Sequence, residues 1–287
     1  MKILLTGANG QLGRCFQDRL PEGWTLKALD SKGLDISDKN SVMDAVLDFT
    51  PDVIVNAAAY TAVDKAESES ARAVEVNAHG PENLAQASKA VQARFIHIST
   101  DYVFDGSAQI AYNENEPVNP LGIYGRSKLA GELLVNLALP DAIIIRTAWV
   151  FSEYGNNFVK TMLRLAKDRD YLGVVSDQVG CPTYAGDIAD AIIQLISVDA
   201  PGGIYHYCGD SQVSWAEFAE TIFDEAKKLQ LIDKQPTIKH ITTADYPTPA
   251  KRPAFSSLSN DKIAQYNISG SDWKRRLSAI LSNCISN

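Results

Sequence analysis

Tyr124 and Lys128 stand four residues apart in Ile-Tyr-Gly-Arg-Ser-Lys, and Ser99-Thr100 closes an apolar run upstream of them. On a helix, positions i and i+4 share a face, so the phenol and the ammonium point the same way. A hydroxyl, a tyrosine and a lysine suit hydride transfer to a carbonyl. Hydride reaches carbon from a reduced nicotinamide, and oxygen then needs a proton. A free tyrosine has a pKa of about 10, too high for efficient acid–base work near neutrality. Moving it to about 7 takes roughly 4 kcal/mol. One ammonium at ~4 Å supplies a contribution on that order at an effective dielectric of about 20, and oxidised nicotinamide adds positive charge. Lys128 is expected to act on Tyr124 and to hold a ribose hydroxyl, and Thr100 to hydrogen-bond the substrate oxygen. The competing reading is a surface Tyr–Lys pair with no chemistry.

A cofactor site is legible at the other end of the same half. Gly7, Gly10 and Gly13 follow an apolar run and open an amphipathic one, in a G-x-x-G-x-x-G pattern one residue wider than the standard dinucleotide fingerprint. Glycines there allow a tight turn and a close approach to pyrophosphate, and the helix start offers unpaired N–H groups. Asn9, Gln11 and Leu12 belong to the same turn and count with it as cofactor contacts. Asp30 ends the second apolar run, where a carboxylate can accept hydrogen bonds from an adenosine ribose and favour NADH. Arg14, Ser31 and Lys32 could instead meet a 2′-phosphate and favour NADPH, so both cofactors stay open. Asp35-Ile36 falls where a loop flanks the adenine. Ala57, Ala58 and Ala59 follow Asn56 after the third run, and small side chains at a strand end let a cofactor lie against the backbone. Each of these also has a plain structural reading as a turn, a cap or packing.

The elements that must hold these residues alternate. Strands are expected at 2–6, 25–29, 52–55, 94–99 and 142–146, with helices at 11–19, 39–48, 69–92 and 120–138 between them. Such alternation predicts a Rossmann-type, doubly wound parallel α/β sheet covered on both faces. Past residue 150 the rhythm loosens. Helices are expected at 156–169, 187–197 and 214–229, the last opened by a Ser-x-x-Glu capping box at Ser214. Strands are expected at 173–176 and 204–207, and the Pro-rich stretch 243–256 reads as an ordered loop. The predicted plan is a cofactor-binding domain over 1–150, rejoined by about 171–197. A smaller C-terminal substrate lobe takes 151–170 and 198–287.

Composition narrows the function classes. The chain has 287 residues, 45% hydrophobic and 22% charged, which excludes disorder, collagen and coiled coil. Net charge is −8, from 27 basic against 35 acidic residues, so nucleic acid is not expected as a partner. No run approaches the roughly 20 apolar residues of a membrane span, and MKILLTGANG is too short an apolar start for a signal peptide. A cytoplasmic protein is expected. Cys15, Cys181, Cys208 and Cys284 are far apart, without zinc spacing, and are expected as free thiols of a reducing compartment.

Taken together, TGANGQLG at 6–13, NAAAYTAVDKAE at 56–67, ISTDYVFDG at 98–106, YGRSKLAGE at 124–132, RTAWVFSEYGNNF at 146–158 and SDQVGCPTYAGDIA at 176–189 resemble the extended short-chain dehydrogenase/reductase family. The likeness runs over nearly the whole chain and is strongest to the branch that acts on nucleotide sugars. It implies NAD(P)H on the sheet domain and a dTDP-sugar in the C-terminal lobe. The implied reaction reduces the C4 ketone of dTDP-4-dehydro-β-L-rhamnose to dTDP-β-L-rhamnose, for cell-wall polysaccharide. Thr100, Tyr124 and Lys128 match the family's catalytic set, and Asp101 sits beside them in a structural or proton-tuning role. Tyr102 and Val103 belong to the same substrate-side motif. Trp149 matches a tryptophan that packs on the sugar. Asn157, Phe158, Cys181, Pro182 and Thr183 match the nucleotide pocket, and Arg252 is a candidate pyrophosphate clamp or a solvated loop arginine.

Two other readings use the same motifs. An epimerase or dehydratase would keep and recycle its cofactor, but Thr100-Asp101-Tyr102 lacks the glutamate common after a dehydratase's threonine. A non-catalytic subunit, like the regulatory partner of methionine adenosyltransferase, would keep the fold without turnover. Some family members dimerise through Mg²⁺ held by glutamates, one of them two residues after the third glycine. Here Cys15 holds that position, the segment LSAILSNCISN lacks a carboxylate, and Gly186-Asp187 stands near the second site. No metal bridge is expected, and the chain is predicted to be a monomer or weak homodimer whose elution from a sizing column is unchanged by EDTA.

Overall fold

In the computed structural model, which describes residues 1–283, short apolar runs become strands where expected, and helices follow them in alternation. The first half runs β1 (Lys2–Thr6), α1 (Gln11–Asp18), β2 (Thr25–Leu29), α2 (Lys39–Phe49), β3 (Val53–Asn56), α3 (Val63–Ala66), α4 (Ser70–Val74), α5 (Gly80–Ala90), β4 (Arg94–Thr100), α6 (Ile123–Ala138) and β5 (Ile143–Thr147). A π-helical turn over Glu75–His79 joins α4 to α5, so the helix expected at 69–92 is one path with a widened turn inside it. The second half runs β6 (Val150–Phe151), α7 (Phe158–Ala166), β7 (Tyr171–Val175), β8 (Val179–Gly180), β9 (Thr183–Tyr184), α8 (Ala185–Ser197), β10 (Gly203–His206), β11 (Val213–Ser214), α9 (Trp215–Lys228), β12 (Thr237–Ile241), α10 (Asp261–Ala264) and α11 (Trp273–Asn283). Cys284 lies outside the described residues.

Six parallel strands form the central sheet in the order β10-β5-β4-β3-β1-β2. Successive side chains point to opposite faces, and both faces are apolar. Ile3, Leu5, Val53, Val55, Ile96, Ile143 and Ile145 share one core with α1, α8, α9 and α11. Leu4, Ile54, Phe95 and Ile144 enter a second core with α2 and α5. The doubly wound α/β fold is thus present.

The lobe boundaries differ from those expected. Strand β10 pairs with β5 at the sheet edge, so residues placed beyond 198 return to the sheet. Strand β7, expected to rejoin the sheet domain, instead pairs in parallel with β12. Strand β12 escaped notice because its burial is slight and its Lys239 and His240 interrupt the apolar pattern. Helix α9 carries the expected capping box, with Ser214 and Glu217 each bonding the other's backbone.

One contact fixes the helix that carries the tyrosine and lysine. Gly131 on α6 lies against the backbone of the π-helical turn, where a Cβ would overlap the carbonyl oxygen of Asn77. The Asn77 side chain then donates to Ser127 Oγ and Tyr60 O and accepts from Tyr60 N. Gly131→Ala gains about 1 kcal/mol of helix propensity but overpacks a backbone contact, which costs about 1–3 kcal/mol and often more when backbone must move. The variant is expected to unfold at lower denaturant concentration, with an unchanged m-value.

Candidate active site

The strand ends converge on a cavity of about 780 Å³ at the carboxyl edge of the sheet, where ligands bind in such folds. At its cofactor end the glycine turn does what its residue types allow. Gly7 has φ +73°, and a Cβ there would come within 2.5 Å of the Ala57 carbonyl carbon. Gly10 is the N-cap of α1 and carries no side-chain cap, so the first N–H groups of the helix remain available. Gly7, Asn9, Gly10, Gln11 and Leu12 line the cavity, while Gly13 packs back onto Gly7 and Ala8 instead. Gln17 donates to Ala8 O and Gly13 O and so pins the turn from below.

Asp30, Asp35, Ile36, Ala57, Ala58 and Ala59 line the same end. The Asp30 carboxylate accepts from Asn9 Nδ2 at 2.6 Å and from the N–H groups of Lys32 and Gly33, and the Gly33 and Lys32 bonds hold its pKa below the usual carboxylate range. Ser31, Lys32 and Arg72 line the cavity beside it. Arg14, weighed for a 2′-phosphate, lies instead over the Tyr154 ring at 5.3 Å. The bare helix start, the glycine turn pressed on Ala57 and the size of the cavity fit a dinucleotide.

Thr100, Asp101, Tyr102, Tyr124 and Lys128 line the cavity together. Thr100 donates to Asp101 Oδ1 at 2.9 Å and accepts from Tyr102 N, which stations its hydroxyl at the end of β4. Tyr102 meets Tyr124 edge-on with ring centroids 5.5 Å apart. Val103, expected on the substrate side, is fully buried beneath the site with Phe104 and Cys181. Burial pushes Tyr124 up to about 12, the Thr100 hydroxyl works against that rise, and Asp101 adds to it. The lysine was expected to draw the tyrosine down. Its Nζ is turned instead to Ile98 O at 2.6 Å and to His97 Nε2 at 3.4 Å. Burial lowers Lys128 itself to about 8, with Glu132 acting to retain its proton.

On the substrate side several expected residues lie elsewhere. Trp149 borders the cavity, but one indole face is stacked on Trp215 at 3.5 Å and its edge is pressed on Gly180. Asn157 caps α7 and donates to Gln11 Oε1, so it latches the lobe to the glycine turn rather than facing a ligand. Phe158 packs on Phe218 and Trp215. Cys181, Pro182 and Thr183 are buried behind the wall, and Thr183 is held by Cys181 O and Gly209 N. Arg252 is no free clamp: its fork grips Asp64 at 2.8 and 3.1 Å and ties the 243–256 loop to α3. Such burial and pairing depend on partners distant in sequence, which motif spacing does not encode.

A layer beneath the site was missed altogether. Glu132, one turn beyond Lys128, accepts a two-pronged bond from buried Arg146 at 2.7 and 2.9 Å and another from Ser99 Oγ. Glu67 accepts from Ile123 N at 2.8 Å and so caps the helix that carries Tyr124. The sequence signal was present in the polar residues inside otherwise apolar runs. Among the described residues no group of three or more carboxylate, histidine or cysteine side chains is placed to hold a metal ion.

Asp101 is buried with Oδ2 unpartnered, and desolvation raises it to about 6, opposed by Ser256 and Thr100. A carboxylate whose folded pKa is raised contributes stability below its unfolded value of about 3.9 and loses it as pH climbs through 6. Asp101→Asn removes that loss. The melting temperature of the variant relative to the wild type is expected to rise between about pH 4 and pH 7, by up to about 3 kcal/mol in stability terms. A pH-independent difference in calorimetry would contradict it.

The family model described as the RmlD substrate binding domain matches residues 1–285. The dTDP-4-dehydrorhamnose reductase of Aggregatibacter actinomycetemcomitans is 50% identical over 287 residues, covering 97% of this chain and 98% of that protein. The crystal structure of a dTDP-4-dehydrorhamnose reductase from Clostridium acetobutylicum superposes with a TM-score of 0.93 at 40% identity, over 100% of both chains. That of the Bacillus anthracis dTDP-4-dehydrorhamnose reductase in complex with NADP gives 0.92 at 37% identity, over 100% of this chain and 99% of the other. With its glycine turn, its Thr100–Tyr124–Lys128 set and these full-length likenesses, the chain belongs to the dTDP-4-dehydrorhamnose reductase family of extended short-chain dehydrogenases/reductases.

Proposed function

We propose that this chain reduces the C4 ketone of dTDP-4-dehydro-β-L-rhamnose to dTDP-β-L-rhamnose, the last step of dTDP-L-rhamnose synthesis, with NADPH or NADH. The observation that carries the reading is one cavity with the bare start of α1 at one end and Thr100, Tyr124 and Lys128 at the other. Bound along it, the reduced nicotinamide supplies the hydride. The N–H groups of the turn take the pyrophosphate. Asp30 offers a ribose its carboxylate, and Ser31 and Lys32 offer a 2′-phosphate polar and cationic partners.

Tyr124 stands protonated across the neutral range, because burial holds its proton, and gives that proton to the oxygen formed at C4. Thr100 orients the same oxygen. Lys128 lines the same cavity, where its ammonium is placed to hold a ribose hydroxyl. Trp149 borders the sugar end. The sheet unit holds the cofactor and the C-terminal lobe the sugar nucleotide. The same reading makes the chain a cytoplasmic monomer or weak homodimer with no nucleic-acid or membrane partner. Among the described residues no helix is long and apolar enough to cross a membrane.

The test is the absorbance of the reduced nicotinamide, followed with NADPH and separately NADH on dTDP-4-dehydrorhamnose made in situ. Steady consumption is expected, and Tyr124→Phe should slow it about 10²–10⁴-fold, the range for a lost general acid. A folded protein that consumes neither cofactor overturns the reading. Interconversion of sugars without net consumption would place the chain with the epimerases.

A further inference from the structure

Beneath Lys128 lies a polar chain that the reaction as drawn does not use. His97 on β4 is completely buried, and its ring nitrogens face two different partners. Nδ1 lies 3.0 Å from the Asn56 side-chain nitrogen, and Nε2 lies 3.4 Å from Lys128 Nζ. The Asn56 amide has only one workable orientation. Its Oδ1 accepts from the backbone N–H of Ala58 and from Thr6 Oγ1 at 2.7 Å, and a backbone N–H cannot reverse its role. The amide NH₂ therefore points at the imidazole and donates to it. Nδ1 must be bare to accept that bond, so the imidazole is neutral and its proton sits on Nε2.

That tautomer turns an N–H toward the lysine. An ammonium has three donors and no acceptor, so the charged form sets donor against donor at this contact. A neutral amine has a lone pair there and accepts the Nε2–H, while another of its hydrogens keeps the bond to Ile98 O at 2.6 Å. We propose that Asn56 and His97 act as positioning residues that set the protonation of Lys128, biasing its Nζ toward the neutral amine. The proposal rests on the reductase reading, in which the Lys128 ammonium holds a ribose hydroxyl, so that loss of its proton gives the alkaline limb of turnover.

The charged and titratable groups around the pair bear on this balance. Glu132, one helical turn away on α6, favours the ammonium. It is itself gripped by Arg146 from β5, so its charge is largely answered already. Burial and the lysine both hold His97 neutral. Tyr124 and Asp101 border the cavity side.

The test reads the ring directly. Nitrogen-15 NMR of the intact protein, labelled in its four histidines, should show His97 neutral with hydrogen on Nε2 from about pH 6 to pH 9. The signal is assigned by its loss in His97→Phe or by through-bond correlation to its own backbone. A ring protonated on Nδ1, or one that becomes imidazolium in that range, overturns the proposal. His97→Phe keeps the ring volume and removes the opposing N–H. The alkaline limb of its kcat profile under saturating NADPH is expected on the order of one pH unit higher, the scale on which a neighbouring group moves a buried lysine. A limb that stays in place while the variant folds also overturns it. The ring is read without substrate, so a wrong tautomer and an absent reductase activity give different results.

Discussion

An ammonium buried away from water governs the arrangement beneath the cavity. Lys128 is 2% exposed, and taking such a charge out of water costs several kcal/mol unless the surroundings answer it. The answer comes in layers. Ile98 O takes one hydrogen of the ammonium. Glu132 supplies negative charge one turn along α6, and that carboxylate would itself be costly if it stood alone. Arg146 closes the account from β5, with its guanidinium lying over the Phe104 ring at 5.1 Å. Three neighbouring elements are thereby fixed in register by charge as well as by apolar packing. A one-residue slip in β5 would strand both Glu132 and Arg146.

The same need for satisfied partners shapes the cavity rim. The glycine turn leaves helix N–H groups unpaired because a ligand is to take them, whereas α6 has its start covered by Glu67 from a distant segment. One helix start is open and the other closed, and that difference separates the binding end from the catalytic end. Asp101 Oδ2 and Thr147 Oγ1, both buried and unpartnered, add two open polar atoms at cavity-lining residues.

Much of this was legible in the sequence, and the part that was not has a physical cause. Strands β1, β3 and β5 are continuous apolar runs because both sheet faces are covered, and such runs can be read without partners. Gly7, Tyr124 and Lys128 were legible because a turn or a helix face sets their spacing locally. Strand β12 was not, since its stability comes from pairing with β7 rather than from its own pattern. Arg252 looked like a phosphate clamp because its type fits one, but the Asp64 that occupies it lies far away in the chain. His97 was the subtlest omission. A histidine within an apolar strand gives no sign of which nitrogen bears the proton until Asn56 and Ala58 are placed beside it.

The apolar residues of the lobe have no interior of their own. Phe151, Phe218, Phe223 and Trp273 belong to the same core as Ile3, Val55 and Ile145 of the sheet. A lobe built in this way is not a cassette that can be exchanged or expressed alone, because removing it opens a core that the sheet, α1 and α8 share with it. A shared core couples the unfolding of the lobe to that of the sheet. The residues that would set substrate preference share the fate of those that hold the cofactor, and a change that loosens the sugar end is felt in the stability of the entire chain.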